Sequence, residues 1–154
     1  MMIIMYPLSK TEESYLERIY ELIDEKGFAN VVDIAVAMKV KPPSVTNMLQ
    51  KLDEHGLVAY KRYRGVTLTK KGEALATTLK YSHDTLRSFF EVLGVNKTIA
   101  EEDACEIEHI VHCETIEKLK KFLKFIEETT KSTNWFKNFK YFEKNGNNKK
   151  DLKI

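Results

Sequence analysis

Two adjacent prolines, Pro42 and Pro43, interrupt a stretch of helical periodicity and limit what the first half of this chain can form. Proline lacks a backbone N–H and fixes φ, so it breaks a helix interior but suits a first helical turn. One helix must therefore stop upstream, and another can start at Pro43 and run to Glu54. The upstream helix is short and ends at Met38; Val31, Ile34, Ala35 and Met38 share a face despite the β-branched content. In the downstream helix Val45, Met48, Leu49 and Leu52 point inward, and Gly56 stops it. Ahead of both, Ser9-Lys10-Thr11-Glu12 has capping-box spacing. Leu16, Ile19, Tyr20 and Ile23 follow at i, i+3, i+4 and i+7, predicting a first helix from about residue 10 to Lys26, ended by Gly27.

The pattern then changes. Leu57–Tyr60 and Val66–Thr69 are β-prone runs around Lys61-Arg62-Tyr63-Arg64-Gly65, which predicts a hairpin with a basic turn. A long helix is expected from Lys70 to Leu93, with Leu75, Leu79, Leu86, Phe90 and Leu93 on its apolar side and Gly94 after it. Thr98-Ile99-Ala100-Glu101 has capping-box spacing and should open a helix through about Cys113; another should cover roughly 115–129. These spacings give a mainly α chain in three parts: 1–72, a helical domain 73–130, and a basic aromatic tail 131–154. In the tail, Trp135, Phe136, Phe139, Tyr141 and Phe142 suggest a docked or helical first part, and the Asn-rich run from Asn145 to Asn148 a mobile end.

Charge and cysteine content narrow the classes. Residues 39–71 hold 8 basic and 2 acidic side chains, 73–130 hold 7 and 12, and 131–154 hold 7 and 2. The basic parts suit a polyanion and the acidic middle a cation, although charge runs are often only solvated faces. Two cysteines, Cys105 and Cys113, cannot build a disulfide framework and read as thiols or ligands. The apolar start, Met1 to Tyr6, is too short for a signal core or a membrane span. A cytoplasmic protein with no membrane partner is the expectation.

Three short helices followed by a basic hairpin describe a winged helix-turn-helix. Such a unit lays one exposed helix in the major groove of double-stranded DNA and reaches phosphates with its wing. Lys41, Pro43, Ser44, Thr46, Asn47, Gln50 and Lys51 are placed for the groove, and Lys61, Arg62 and Arg64 for the backbone. A winged helix that packs on another protein is the alternative.

The densest chemistry is the run Cys105 to Cys113. On a continuous helix Cys105, Glu108, His109 and His112 would form one stripe of thiolate, carboxylate and imidazole, a donor set for a transition metal. His109 could instead be a buried structural histidine. His83 lies at the edge of the long helix's apolar stripe and Glu17 beside Leu16, where a structural histidine and a surface carboxylate are the ordinary readings.

The segments Val32–Ala35, Val40–Leu52, Gly56–Val58, Tyr63–Thr69 and Lys71-Gly72 resemble the metal-dependent repressors of the diphtheria-toxin repressor and manganese-transport regulator family, over roughly residues 9–130. The resemblance implies a winged helix-turn-helix followed by an all-helical dimerisation domain, with residues 43–47 on the recognition helix. It implies a homodimer on a pseudo-palindromic operator, and metal ligands at Glu17, His83, Cys105, Glu108 and His109; His112 and Cys113 are extra candidates with no clear counterpart in the family. The chain's length leaves no expected room for the SH3-like third domain of longer members. Three departures stand out: Cys105 replaces the manganese branch's carboxylate, Ser14 is a poor ligand where the family has Asp or Met, and Arg87 replaces the iron branch's ancillary carboxylate.

The expected activator is Fe²⁺ or Mn²⁺, with Zn²⁺ or Co²⁺ binding in vitro, and the thiolate at Cys105 favours Fe²⁺. The expected role is a metal-activated repressor in iron or manganese homeostasis. A metal-independent regulator sensing oxidants through its cysteines is the alternative. A metalloenzyme is not expected, because no general base stands apart from the ligands.

Overall fold

The computed structural model describes residues 8–130 and 135–146. Helix α1 (Lys10–Lys26) opens on the predicted capping box: the Ser9 hydroxyl accepts from the Glu12 N–H, and the Glu12 carboxylate accepts from the Ser9 N–H. Helices α2 (Val31–Met38) and α3 (Pro42–Glu54) follow, with both prolines in the first turn of α3. Strands β1 (Val58–Lys61) and β2 (Gly65–Leu68) pair antiparallel, Val58 opposite Leu68 and Lys61 opposite Gly65. Then come α4 (Lys70–Leu93), α5 (Lys97–Ile107), α6 (Cys113–Thr130) and α7 (Trp135–Asn145). Among the described residues, no helix is long and apolar enough to cross a membrane. The apolar segment expected at Met1–Tyr6 and the end of the Asn-rich run, Asn147 and Asn148, lie outside the described residues.

The chain divides into two units between Tyr81 and Ser82, within α4. In the first unit the inward faces of α1, α2 and α3 meet the hairpin: Leu16, Ile19, Ile34, Val45, Leu49, Leu52, Leu57 and Val58 are essentially inaccessible. Burial of these aliphatic side chains is the main driving term for the unit. Two close backbone approaches fix the wing. Val66 N–H donates to Ala29 O at 3.0 Å, tying β2 to the α1–α2 connection. Gly72, in the first turn of α4, lies so near Leu57 that a Cβ there would meet the Leu57 carbonyl oxygen at 1.8 Å. Thr69 caps α4: its hydroxyl accepts from the Gly72 N–H at 3.0 Å and donates to Gly56 O at 2.7 Å.

The second unit has a smaller core, in which Leu86, Ala104 and Ile116 are buried and Phe90, Ile107, Val111 and Leu119 pack against them. It differs from the sequence expectation in four places. Asn96, not Thr98, caps α5, with its side chain accepting from the Thr98 N–H. Leu93, expected on the apolar side of α4, is 39% exposed. Helix α5 ends at Ile107 instead of continuing to Cys113. Ile110 and Val111 are β-branched and lower helix propensity there. The chain turns through them, and the next helix starts at Cys113 instead of about residue 115.

Candidate metal centre and nucleic-acid interface

The early end of α5 decides which of the expected ligands meet. Glu108 is the C-cap of α5, still with helical φ and ψ, and its side chain is fully buried. His83 projects from α4, and its Nδ1 lies 2.7 Å from Glu108 Oε2. His109 lies in the turn after α5, with Nε2 3.3 Å from Glu108 Oε1 and its side chain 5% exposed. His83, Glu108 and His109 are therefore brought together, not by one helical stripe but by a helix end, a turn and a second helix.

The continuous stripe from Cys105 to His112 does not form, because His112 lies beyond the end of α5. His112 is exposed in the connection, and Cys113 is exposed at the first position of α6. Cys105 is exposed on α5, one turn before Glu108. Glu17 is buried on α1 in the first unit.

Sequence reasoning missed Glu101. Assigning it to a capping box hid its position on α5, four residues before Cys105 and seven before Glu108. Its Oε1 lies 3.1 Å from His83 Nε2, and its Oε2 lies 3.6 Å from Arg87 Nη1. The ring of His83 thus faces a carboxylate at each nitrogen.

The donor set suits a divalent cation. Glu108 Oε1 is buried with no hydrogen-bond partner among the described residues. Leaving such an oxygen unsatisfied costs free energy that a bound cation recovers. With imidazole nitrogen and carboxylate oxygen as donors, the group fits Mn²⁺, Fe²⁺, Co²⁺ or Zn²⁺ by ligand type.

The first unit presents the expected nucleic-acid face. Lys41, Pro43, Ser44, Asn47, Gln50 and Lys51 are exposed on and before α3, and Thr46 is half-buried, its hydroxyl donating to Pro42 O at 3.3 Å. Lys61, Arg62 and Arg64 are exposed at the hairpin tip. Tyr63, at φ 68°, is 92% exposed there, and the Arg62 guanidinium lies 5.3 Å from its ring centroid.

Lys51 is not free for a phosphate alone. Its ammonium lies 3.3 Å from Oε2 of Glu12, whose side chain is only 3% exposed. His55 Nδ1 lies 3.2 Å from the other oxygen of Glu12. Burial pushes the Glu12 carboxyl up, but hydrogen bonds from Ser9 and Lys51 outweigh it and hold the group below its ordinary value. Glu12 thereby fastens the start of α1 to the end of α3.

A winged helix-turn-helix with a basic tip, joined to a helical unit carrying a buried carboxylate–imidazole group, defines a metal-responsive DNA-binding protein. Residues 7–66 match the iron dependent repressor N-terminal DNA binding domain, and residues 69–136 match the iron dependent repressor metal binding and dimerisation domain. The chain belongs to this family, the DtxR/MntR-type metal-dependent transcriptional regulators; these are repressors, not enzymes. It is 47% identical over 106 residues to the HTH-type transcriptional regulator MntR of Shouchella clausii (strain KSM-K16), covering 69% of this chain and 74% of that one. Among solved structures it resembles the manganese regulator SloR (35% identity, TM-score 0.65, covering 74% of this chain and 54% of that one). It also resembles the metal-dependent transcriptional regulator MtsR (29% identity, TM-score 0.69, covering 77% of this chain and 55% of that one). The manganese-activated repressor ScaR in its apo form is similar at 32% identity and TM-score 0.60, over 71% of this chain and 53% of that one. This chain spans about half the length of those three solved chains.

Proposed function

We propose that this chain is a homodimeric repressor that Mn²⁺ activates for binding to a pseudo-palindromic operator. The observation that carries the reading is the buried group His83, Glu108 and His109, with a Glu108 oxygen that has no hydrogen-bond partner among the described residues. Glu17, a buried carboxylate on α1, completes the proposed ligand set on the family resemblance. Oxygen and nitrogen donors suit Mn²⁺. The descriptions of SloR as a manganese regulator and of ScaR as manganese-activated support the same ion.

In this reading Ser44, Thr46, Asn47 and Gln50 on α3 meet base edges, while Lys41, Pro43 and Lys51 flank the groove. Lys61, Arg62 and Arg64 meet phosphates. Leu93, Ile99, Ile110, Phe122 and Phe125, all exposed in the second unit, supply apolar area for a second copy to cover. Two recognition helices in a dimer require half-sites spaced by whole turns. The ion can shift the population toward the form that fits DNA only through differential affinity for it. A protein acting on DNA and sensing a metal in this way is expected in the cytoplasm.

One observation favours Fe²⁺ as a second reading: Cys105 lies on α5 three residues before Glu108, and a thiolate ligand selects later metals over Mn²⁺. Anaerobic gel-shift titrations with Mn²⁺, Fe²⁺ and Zn²⁺, and with chelator, test both readings. Mn²⁺ activation at the lower free concentration, unchanged in Cys105→Ser, supports the proposal. Preferential Fe²⁺ activation that Cys105→Glu reverses assigns Cys105 as a ligand and replaces Mn²⁺ with Fe²⁺. DNA binding indifferent to chelator and sensitive to thiol reductant would favour cysteine redox sensing instead.

A further inference from the structure

Within the second unit, Glu101 stands outside the proposed ligand set yet touches it. Its Oε1 lies 3.1 Å from Nε2 of His83, whose Nδ1 faces Glu108 at 2.7 Å. The two ring nitrogens therefore have different surroundings: Nδ1 meets a fully buried carboxylate, while Nε2 meets one that is 55% exposed. Arg87 holds the other Glu101 oxygen at 3.6 Å and is itself 3.3 Å from Asp84. His83, Asp84 and Arg87 lie on α4 and Glu101 on α5, so the contacts join two helices of this unit.

A histidine that ligates a metal through one nitrogen usually donates its other N–H to a carboxylate or carbonyl, which fixes the tautomer and aims the lone pair. We propose that Glu101, tethered by Arg87, is a positioning residue for the metal centre: it accepts Nε2–H of His83 and directs the Nδ1 lone pair to the ion beside Glu108. The inference rests on the reading of His83, Glu108 and His109 as a metal centre. Arg87 serves as an internal cation that steadies Glu101, and it takes no part in binding the ion. Because Glu101 and Arg87 are half-exposed, solvent screens their attraction, and the effect of Arg87 is the smaller one.

The test uses the full chain loaded with Co²⁺, which reports both affinity and coordination. Glu101→Ala should weaken Co²⁺ and Mn²⁺ binding by about 10- to 100-fold, with an unchanged circular dichroism spectrum. In wild type, the Nε2–H of a cobalt-bound His83 should give a hyperfine-shifted proton resonance that exchanges slowly with solvent. In Glu101→Ala it should exchange quickly or vanish. Glu101→Gln, whose amide oxygen still accepts a hydrogen bond, should restore most of the affinity and the resonance. Arg87→Ala should shift both in the direction of Glu101→Ala but less, and Glu102→Ala, an exposed neighbour of the same charge, should leave both unchanged.

Unchanged affinity and exchange in Glu101→Ala would overturn the proposal. A changed cobalt absorption intensity at saturation, not rescued by Glu101→Gln, would also overturn it by making Glu101 a direct ligand. The failure of the metal-centre reading looks different: there, wild type binds no Co²⁺, or His83→Ala and His109→Ala bind it as wild type does.

Discussion

Nδ1 of His83 lies 2.7 Å from Oε2 of Glu108, across 25 residues of sequence and with both side chains almost wholly buried. A contact of this kind between an imidazole and a carboxylate, with the second carboxylate oxygen 3.3 Å from His109, concentrates donor atoms where no water competes. Helix α5 stops at Ile107, so His109 approaches the carboxylate of its own neighbour from the turn that follows.

At the DNA face, Arg64 and Asn47 are expected to act differently. Arg64→Ala removes an exposed wing charge and should weaken binding to all sequences, lowering the slope of log K against log salt by about one. Asn47→Ala should relax preference at particular base pairs, at roughly 1–3 kcal/mol each, and leave the salt slope alone. Fluorescence anisotropy over a salt series with operator and scrambled duplexes separates the two. A changed sequence preference with an unchanged slope in Arg64→Ala would reverse the assigned roles.

The approach of Gly72 to Leu57 predicts a fold defect. A methyl group at Gly72 would sit 1.8 Å from the Leu57 carbonyl oxygen, which is backbone and cannot swing away. Gly72→Ala should destabilise the first unit by about 1–3 kcal/mol, the usual cost of overpacking. Thermal melts followed by circular dichroism check this, and a melting temperature equal to wild type would refute it.

Glu12 predicts a pH dependence with a definite sign. Its carboxyl titrates below its ordinary value in the folded state, so the folded chain binds this proton less readily than the unfolded chain. The group's stabilisation is therefore fully present above the ordinary carboxylate range and is lost as pH falls through its lowered folded value. Ser9→Ala removes both the cap and a hydroxyl that donates to Glu12 at 2.7 Å. It should cost about 1 kcal/mol at neutral pH, and less in acid. Denaturant melts from neutral to acid pH measure the difference, and a cost independent of pH would contradict this account.

Much of the fold was legible because local rules agreed with one another. The capping box at Ser9, the prolines before α3 and the basic Gly-containing turn each have a local physical cause, and each appears where spacing placed it. The candidate metal centre was legible only in part. Glu108 and His109 adjoin in sequence, but the stripe that was to unite them with His112 assumed a helix that Ile110 and Val111 disfavour. Glu101 was assigned to a cap that Asn96 supplies, so its contact with His83 was invisible in the sequence. The partnership of Lys51 with Glu12 was hidden for a similar reason, since it joins residues far apart on different helices.

The most direct test of the account compares operator affinity with and without saturating Mn²⁺ in wild type and in Glu108→Gln. The substitution keeps the size of the buried side chain and removes its charge. Wild type should gain affinity on metal addition by a factor on the order of 5–150, the usual range for coupling between two sites. Glu108→Gln should keep its fold and weak non-specific binding and show no gain. A Glu108→Gln protein that responds to Mn²⁺ as fully as wild type would remove Glu108 from the metal centre and contradict the account.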